Sequence, residues 1–172
     1  MADLTDAQFV PDPGIGATGA CRCGIDPEGL VVPDEQEVTD SLTAAFNAHD
    51  VEAATNLFHP RACYVCPGGV AEGREEIASY LALYLEGFPE IAVTPHSKAV
   101  LADIVVIEWT FTGIHTGPFL LPGGDMAEPT GRRIAVRGCD VRTMHDGLIT
   151  SQRVYYDQLE MLTQLGIPCT LP

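Results

Sequence analysis

Near Pro89 the hydrophobic period of this chain changes from about 3.6 residues to 2, and it stays at 2 through four long segments. Ile91–Leu101, Ile104–His115, Arg132–His145 and Leu148–Tyr156 alternate apolar and polar side chains, which predicts four long strands. Asp146-Gly147 separates the last two and suits a two-residue hairpin turn, whose central positions need positive φ. Before the change the pattern is helical. Asp34 and Glu37 make a capping box ahead of Val38, Leu42, Ala45, Phe46 and His49 on one face. Asp50 opens a short second helix through Leu57 and Phe58, which His59-Pro60 stops, and Ala62–Cys66 reads as a short strand. A third helix follows Gly73 with the stripe Ile77, Tyr80, Leu81, Tyr84 and Phe88. A second capping box, Asp157 to Glu160, starts a final helix with Leu159, Leu162 and Leu165 inward and Gly166 as its stop. Helices followed by a meander of strands predict an α+β domain whose curved antiparallel sheet folds around the longest helix.

Residues 1–33 differ from the rest. Nine prolines and glycines between Pro11 and Pro33 interrupt every periodic run, so this segment reads as an irregular arm and 34–172 as the domain. With 24 acidic and 9 basic residues the net charge is −15, and residues 1–60 hold a single base, Arg22. Such a surface repels phosphate backbones and anionic lipids, so neither nucleic acid nor a membrane is an expected partner. The first residues carry no basic, apolar leader, which predicts a cytoplasmic address and reduced thiols. Cys21, Cys23, Cys63 and Cys66 are the four candidate zinc ligands, with Cys66-Pro67-Gly68-Gly69 as a knuckle-like turn. The spacing of the first pair is wrong, and residues three apart on a strand face opposite ways, so no metal is expected.

Several strings in order point to a family: Phe46-Asn47-Ala48-His49-Asp50, Leu57-Phe58-His59-Pro60, Phe88-Pro89, and Gly113-Ile114-His115-Thr116-Gly117-Pro118. Pro129-Thr130-Gly131-Arg132, Asp146-Gly147-Leu148-Ile149, Tyr155-Tyr156-Asp157 and Gln164-Leu165-Gly166 complete the series. Over roughly residues 35–167 the chain resembles the SnoaL-like polyketide cyclases of the NTF2-like superfamily. That resemblance implies a cone with three N-terminal helices packed in the sheet and a short C-terminal helix. It implies a cofactor-independent cyclase, isomerase or dehydratase for a polyketide-like or steroid-like molecule, or a non-catalytic binder of such ligands. Family residues carry over unevenly. The cyclase acid, seven positions after the hairpin glycine, falls on Val154, and the Arg and Asp of the similar epoxide hydrolases fall on Trp109 and Phe111. Against ketosteroid isomerase, the base falls on Cys66, the oxyanion-hole Tyr on Leu42 and the oxyanion-hole Asp on Asp140.

Alternation then proposes the cavity wall. Trp109, Phe111, Gly113 and His115 share one face, as do Thr150, Gln152, Val154 and Tyr156, with Tyr64 and Cys66 joining from the first strand. Between them runs a strand presenting either Gly138, Asp140 and Arg142, or Cys139, Val141 and Thr143. The expected site has Asp140 and His115 as its acid–base pair. Tyr64, Cys66, Trp109, Phe111, Gln152, Val154 and Tyr156 contact a hydrophobic ligand. Asp157 reads as a helix cap. Ser151, Arg153 and Tyr155 lie on the opposite, convex face, the expected contact of a homodimer.

Overall fold

Asp34 sits in extended backbone and its carboxylate accepts the Glu37 N–H at 2.7 Å, which starts helix α1, Glu35–Asn47. The computed structural model describes residues 34–121 and 124–168. The N-terminal arm, Cys21 and Cys23 lie outside the described residues. The chain continues through α2 (Val51–Asn56), β1 (Phe58–Cys66), β2 (Gly69–Glu72) and α3 (Gly73–Gly87). Then come β3 (Ala92–Leu101), β4 (Ile104–Ile114), β5 (Phe119–Leu120), β6 (Met126–Ala127), β7 (Arg133–His145), β8 (Leu148–Tyr156) and α4 (Gln158–Leu165). Asp50 caps α2 through the Ala53 N–H, and Asp157 caps α4 through the Glu160 N–H. Asp146 and Gly147 have φ of 49° and 73°, the positive pair that a tight β7–β8 turn requires.

Six strands form one sheet in the order β2-β1-β8-β7-β4-β3, and β5 pairs with β6 apart from it. The sheet is mixed where an antiparallel one was expected, because β8 runs parallel to β1. Periodicity reports which face a residue takes, whereas strand direction follows from the connections. Here the meander β3-β4-β7-β8 carries its last strand back alongside β1. Register shifts at Pro95/Ser97 and Thr143/Met144 interrupt the pairing. Such bulges bend a strand and tighten its twist, and so curve the sheet.

Four local expectations change. His59-Pro60 does not end a helix: α2 stops at Asn56 and Pro60 lies within β1, where the β1–β8 pairing slips between Phe58 and Cys63. A slipped segment tolerates a residue with no N–H to donate. Cys66-Pro67-Gly68-Gly69 is a hairpin turn into β2, with Cys66 and Gly69 paired across it. His49 is exposed with φ 60°, just beyond α1. In α4 the inward residues are Met161, Leu162 and Leu165, and Leu159 is exposed. The core lies between the helices and the inner face of the sheet, with Phe58, Ile77, Phe88, Ile107, Ile134 and Ile149 fully enclosed.

Candidate active site

Along β7, Gly138, Asp140 and Arg142 take the inner face, while Cys139, Val141 and Thr143 are only partly covered. Gly138 is paired with Trp109 of β4. A Cβ at position 138 would lie 2.2 Å from a carbon of the Trp109 ring, so only glycine lets the indole lie across that backbone. From there the Trp109 Nε1–H donates to Asp140 Oδ1 at 2.9 Å.

Asp140 Oδ2 accepts two more bonds, from Arg142 Nη2 at 2.7 Å and Gln152 Nε2 at 2.8 Å. Register explains the meeting. Arg142 is two residues along the same strand, hence on the same face, and Gln152 is its partner on β8. All three donors have only hydrogens to give, so the carboxyl serves as acceptor to each, and one of its four lone-pair sites stays free. Asp140 and Arg142 are each 4% exposed, which makes this a buried, hydrogen-bonded ion pair. Arg142 Nη1 also donates to the Thr39 carbonyl at 3.3 Å, tying the pair to α1. In the same corner Arg142 Nε, Gln152 Oε1 and Thr39 Oγ1 have no partner among the described residues.

This cluster closes one side of a cavity of about 100 Å³. Apolar groups from α1 (Leu42, Phe46) and from the sheet (Trp109, Phe111, Val136, Val154) form most of its wall. Tyr64, Tyr84 and Tyr156 supply phenols. Burial pushes the ionisation of all three up, so they stand as O–H groups. The Tyr84 hydroxyl meets that of Tyr156 at 3.0 Å and that of Tyr80 at 3.5 Å, and Tyr80 continues to Cys66 Sγ at 2.7 Å.

Of the residues expected to contact a ligand, Tyr64, Trp109, Phe111, Gln152, Val154 and Tyr156 line the cavity together with Asp140. Cys66 does not. It is buried behind Tyr80, its sulfur taken up by that hydroxyl and by the Gly68 N–H at 3.2 Å. Cys63 points to the other face of β1, and no cluster of metal-ligating side chains occurs among the described residues. Thr150 also departs from expectation. It falls at the β7–β8 bulge and its hydroxyl donates to the Thr143 carbonyl, so Ile149 takes the inner face instead. Phe46 and Tyr84, which the sequence places only on apolar helical stripes, also line the cavity, and Thr39, beside the α1 stripe, meets Arg142.

His115 is placed away from Asp140. The residue opposite Asp140 on β4 is Ile107, eight positions from His115, or about 25 Å along a strand. The imidazole is fully enclosed, its ring centroid 5.2 Å from Phe88 and 6.1 Å from Phe119. Nδ1 accepts the Thr130 N–H at 3.3 Å and lies 3.1 Å from its hydroxyl, while Nε2 has no partner among the described residues. Burial pushes its pKa below 6.5. The expected Asp140–His115 pair therefore does not form. His115 shares the face of Trp109 but not its cavity.

Comparison with known proteins bears on the family and the fold. The SnoaL-like domain family matches residues 38–152. The chain belongs to that family. Among solved structures, a SnoaL-like polyketide cyclase by assignment, from Jannaschia sp. CCS1, superposes with a TM-score of 0.69. The two are 24% identical, over 88% of this chain and 100% of the other. IdmH from Streptomyces antibioticus, also assigned as a polyketide cyclase, is 25% identical over 77% of this chain and 98% of its own, with a TM-score of 0.64. A protein of ketosteroid isomerase-like fold from Catenulispora acidiphila, in complex with trimethylamine, is 25% identical with a TM-score of 0.65. That match covers 77% of this chain and 94% of the other. No curated protein matches the chain. This SnoaL-like domain thus has the NTF2-like, α+β fold with a curved mixed sheet. Among the described residues no helix is long and apolar enough to cross a membrane.

Proposed function

We propose that this SnoaL-like domain is a cofactor-independent acid–base enzyme (a cyclase, isomerase or dehydratase) acting on a hydrophobic, ring-bearing ketone of the polyketide or steroid kind. The observation that carries the reading is the Asp140–Arg142 pair inside an otherwise apolar cavity. A buried ion pair is often no more stabilising than apolar residues of the same size, so its presence on the wall of an apolar cavity favours a chemical role. In that role Asp140 takes a proton from a carbon next to the ligand's carbonyl, on the lone pair its three donors leave free. The C–H electrons become the C=C of an enolate, and the carbonyl oxygen takes the charge. Trp109, Arg142 and Gln152 orient the base, and His115 has a structural role. The relatives assigned as polyketide cyclases support the substrate class.

The test uses no knowledge of the natural substrate. Acetophenone in D2O should exchange its methyl protons faster with the protein than without it. Asp140→Asn should lower that rate by about 10²–10⁴-fold, the usual range for general acid–base catalysis. Saturable binding with no exchange would instead favour the second reading, a non-catalytic binder. Val154, where the resemblance to the polyketide cyclases would put an acid, and the three donors already on Asp140 both speak for it.

Two further parts of the reading concern the whole chain. Residues 34–172 act as one domain, supported by Gln164 of α4 bonding both backbone groups of Ala135 on β7. The outer sheet face is the contact of a homodimer, supported by the exposure of Tyr155 and Val106 there. Light scattering should return twice the mass of the chain. A monomer mass at micromolar concentration would contradict it.

A further inference from the structure

Three tyrosines line the cavity, and two of them, Tyr84 and Tyr156, spend their hydroxyls on each other. Tyr80, Tyr84 and Tyr156 form a hydrogen-bonded row that ends on Cys66. Tyr64 is outside it. Its ring packs on Tyr80 at 5.5 Å, but its hydroxyl has no hydrogen-bond partner among the described residues, and the side chain lines the cavity. Register puts it where chemistry is expected. Tyr64 is the β1 neighbour of Gln152, which is the β8 neighbour of Arg142, so the three stand in one row beside Asp140.

We propose that the Tyr64 hydroxyl reads the ligand's oxygen, donating a hydrogen bond to the carbonyl and, in turnover, to the enolate oxygen formed from it. This rests on the acid–base reading above and adds a selection rule: the cavity distinguishes a ring ketone from a hydrocarbon of the same shape. Three features carry it. A phenol that no described side chain engages, on the wall of a largely apolar cavity, has its donor to give. Burial first, and then the negative charge of Asp140, push its ionisation well above the ordinary range, so it stays a donor throughout neutral pH. The bonds to Asp140 come from Trp109, Arg142 and Gln152 and none comes from Tyr64, so the Tyr64 hydrogen is left for a ligand.

The chain has a single tryptophan, Trp109, so one indole N–H resonance reports on the cavity. Acetophenone and ethylbenzene are alike in shape, and each can be titrated against that signal in the wild-type protein and in Tyr64→Phe. Tyr64→Phe should weaken acetophenone by about 5–10-fold, the worth of one neutral hydrogen bond, and leave ethylbenzene within about 2-fold. Its melting temperature should not fall, since the hydroxyl lost has no protein partner. Equal weakening of both probes, no change in either, or a clearly lower melting temperature would each overturn the proposal. A wild-type protein that binds neither probe would overturn the cavity reading and this proposal with it. Selective loss of the ketone in Tyr64→Phe, without proton exchange in the wild type, would leave Tyr64 as the reader of the oxygen and refute only the enzyme.

Discussion

Asp140 and His115 are both buried ionisable groups on the inner side of one sheet, yet their surroundings have little in common. Asp140 is held by three directed donors, one of them a guanidinium, and borders open volume. His115 is enclosed by Phe88 and Phe119 and bonded through one ring nitrogen to a loop residue, Thr130. One end of the sheet positions a charge by register and hydrogen bonds. The other fills space with rings, one of which happens to be titratable. Burial alone therefore does not recommend a group for chemistry; Asp140 is proposed for it because it also has directed partners and access to a cavity.

The comparison can be sharpened by removing what each group depends on. The largest effect is expected for Arg142→Leu, which leaves the Asp140 charge buried without its main partner. It should cost about 3–5 kcal/mol by denaturant unfolding. A loss under about 1 kcal/mol would mean that the carboxylate is not held as described. Gly138→Ala comes next. The new methyl would overlap the Trp109 ring, so the indole must shift and the Nε1–Asp140 bond must lengthen. About 1–3 kcal/mol is the usual cost of overpacking, and the indole N–H resonance should move with it.

At the other end, the effect of His115 is a pH dependence. Its folded-state pKa lies below the 6.5 of an unfolded chain. Above about 6.5 both states are neutral and the stability is full. As pH falls through 6.5 the unfolded state takes up a proton first, so stability is lost on the acid side. His115→Asn should flatten the melting temperature between pH 7 and 5.5, and an unchanged slope would contradict the sealed site. The smallest effect lies outside both regions. Asp157→Ala removes the cap bond to the Glu160 N–H and should cost about 1 kcal/mol with acetophenone exchange intact. Loss of exchange at an unchanged melting temperature would make Asp157 a chemical residue.

The caps, the Asp146-Gly147 turn and the four long strands are local, and their residues show it in the sequence. Neighbour relations are not local. That β8 runs beside β1, that Pro60 sits in a slipped strand, and that a bulge turns Thr150 out and Ile149 in all depend on contacts between distant segments. The inner face of β7 shows the limit most clearly. A rule that puts apolar residues inside prefers Cys139, Val141 and Thr143, and the protein buries Asp140 and Arg142 instead. Conflict with local preference is what a functional site produces, since charges kept in a core need another reason to be there. His115 failed for a different cause. Alternation placed it on the correct face, but a long strand extends well past any one cavity.

Proton exchange in three proteins separates the two ends most directly. Acetophenone methyl exchange in D2O should be accelerated by the wild-type chain, lowered by about 10²–10⁴-fold in Asp140→Asn, and within about 3-fold of wild type in His115→Asn. Equal losses in both variants, or loss in His115→Asn alone, would contradict the assignment of proton transfer to Asp140.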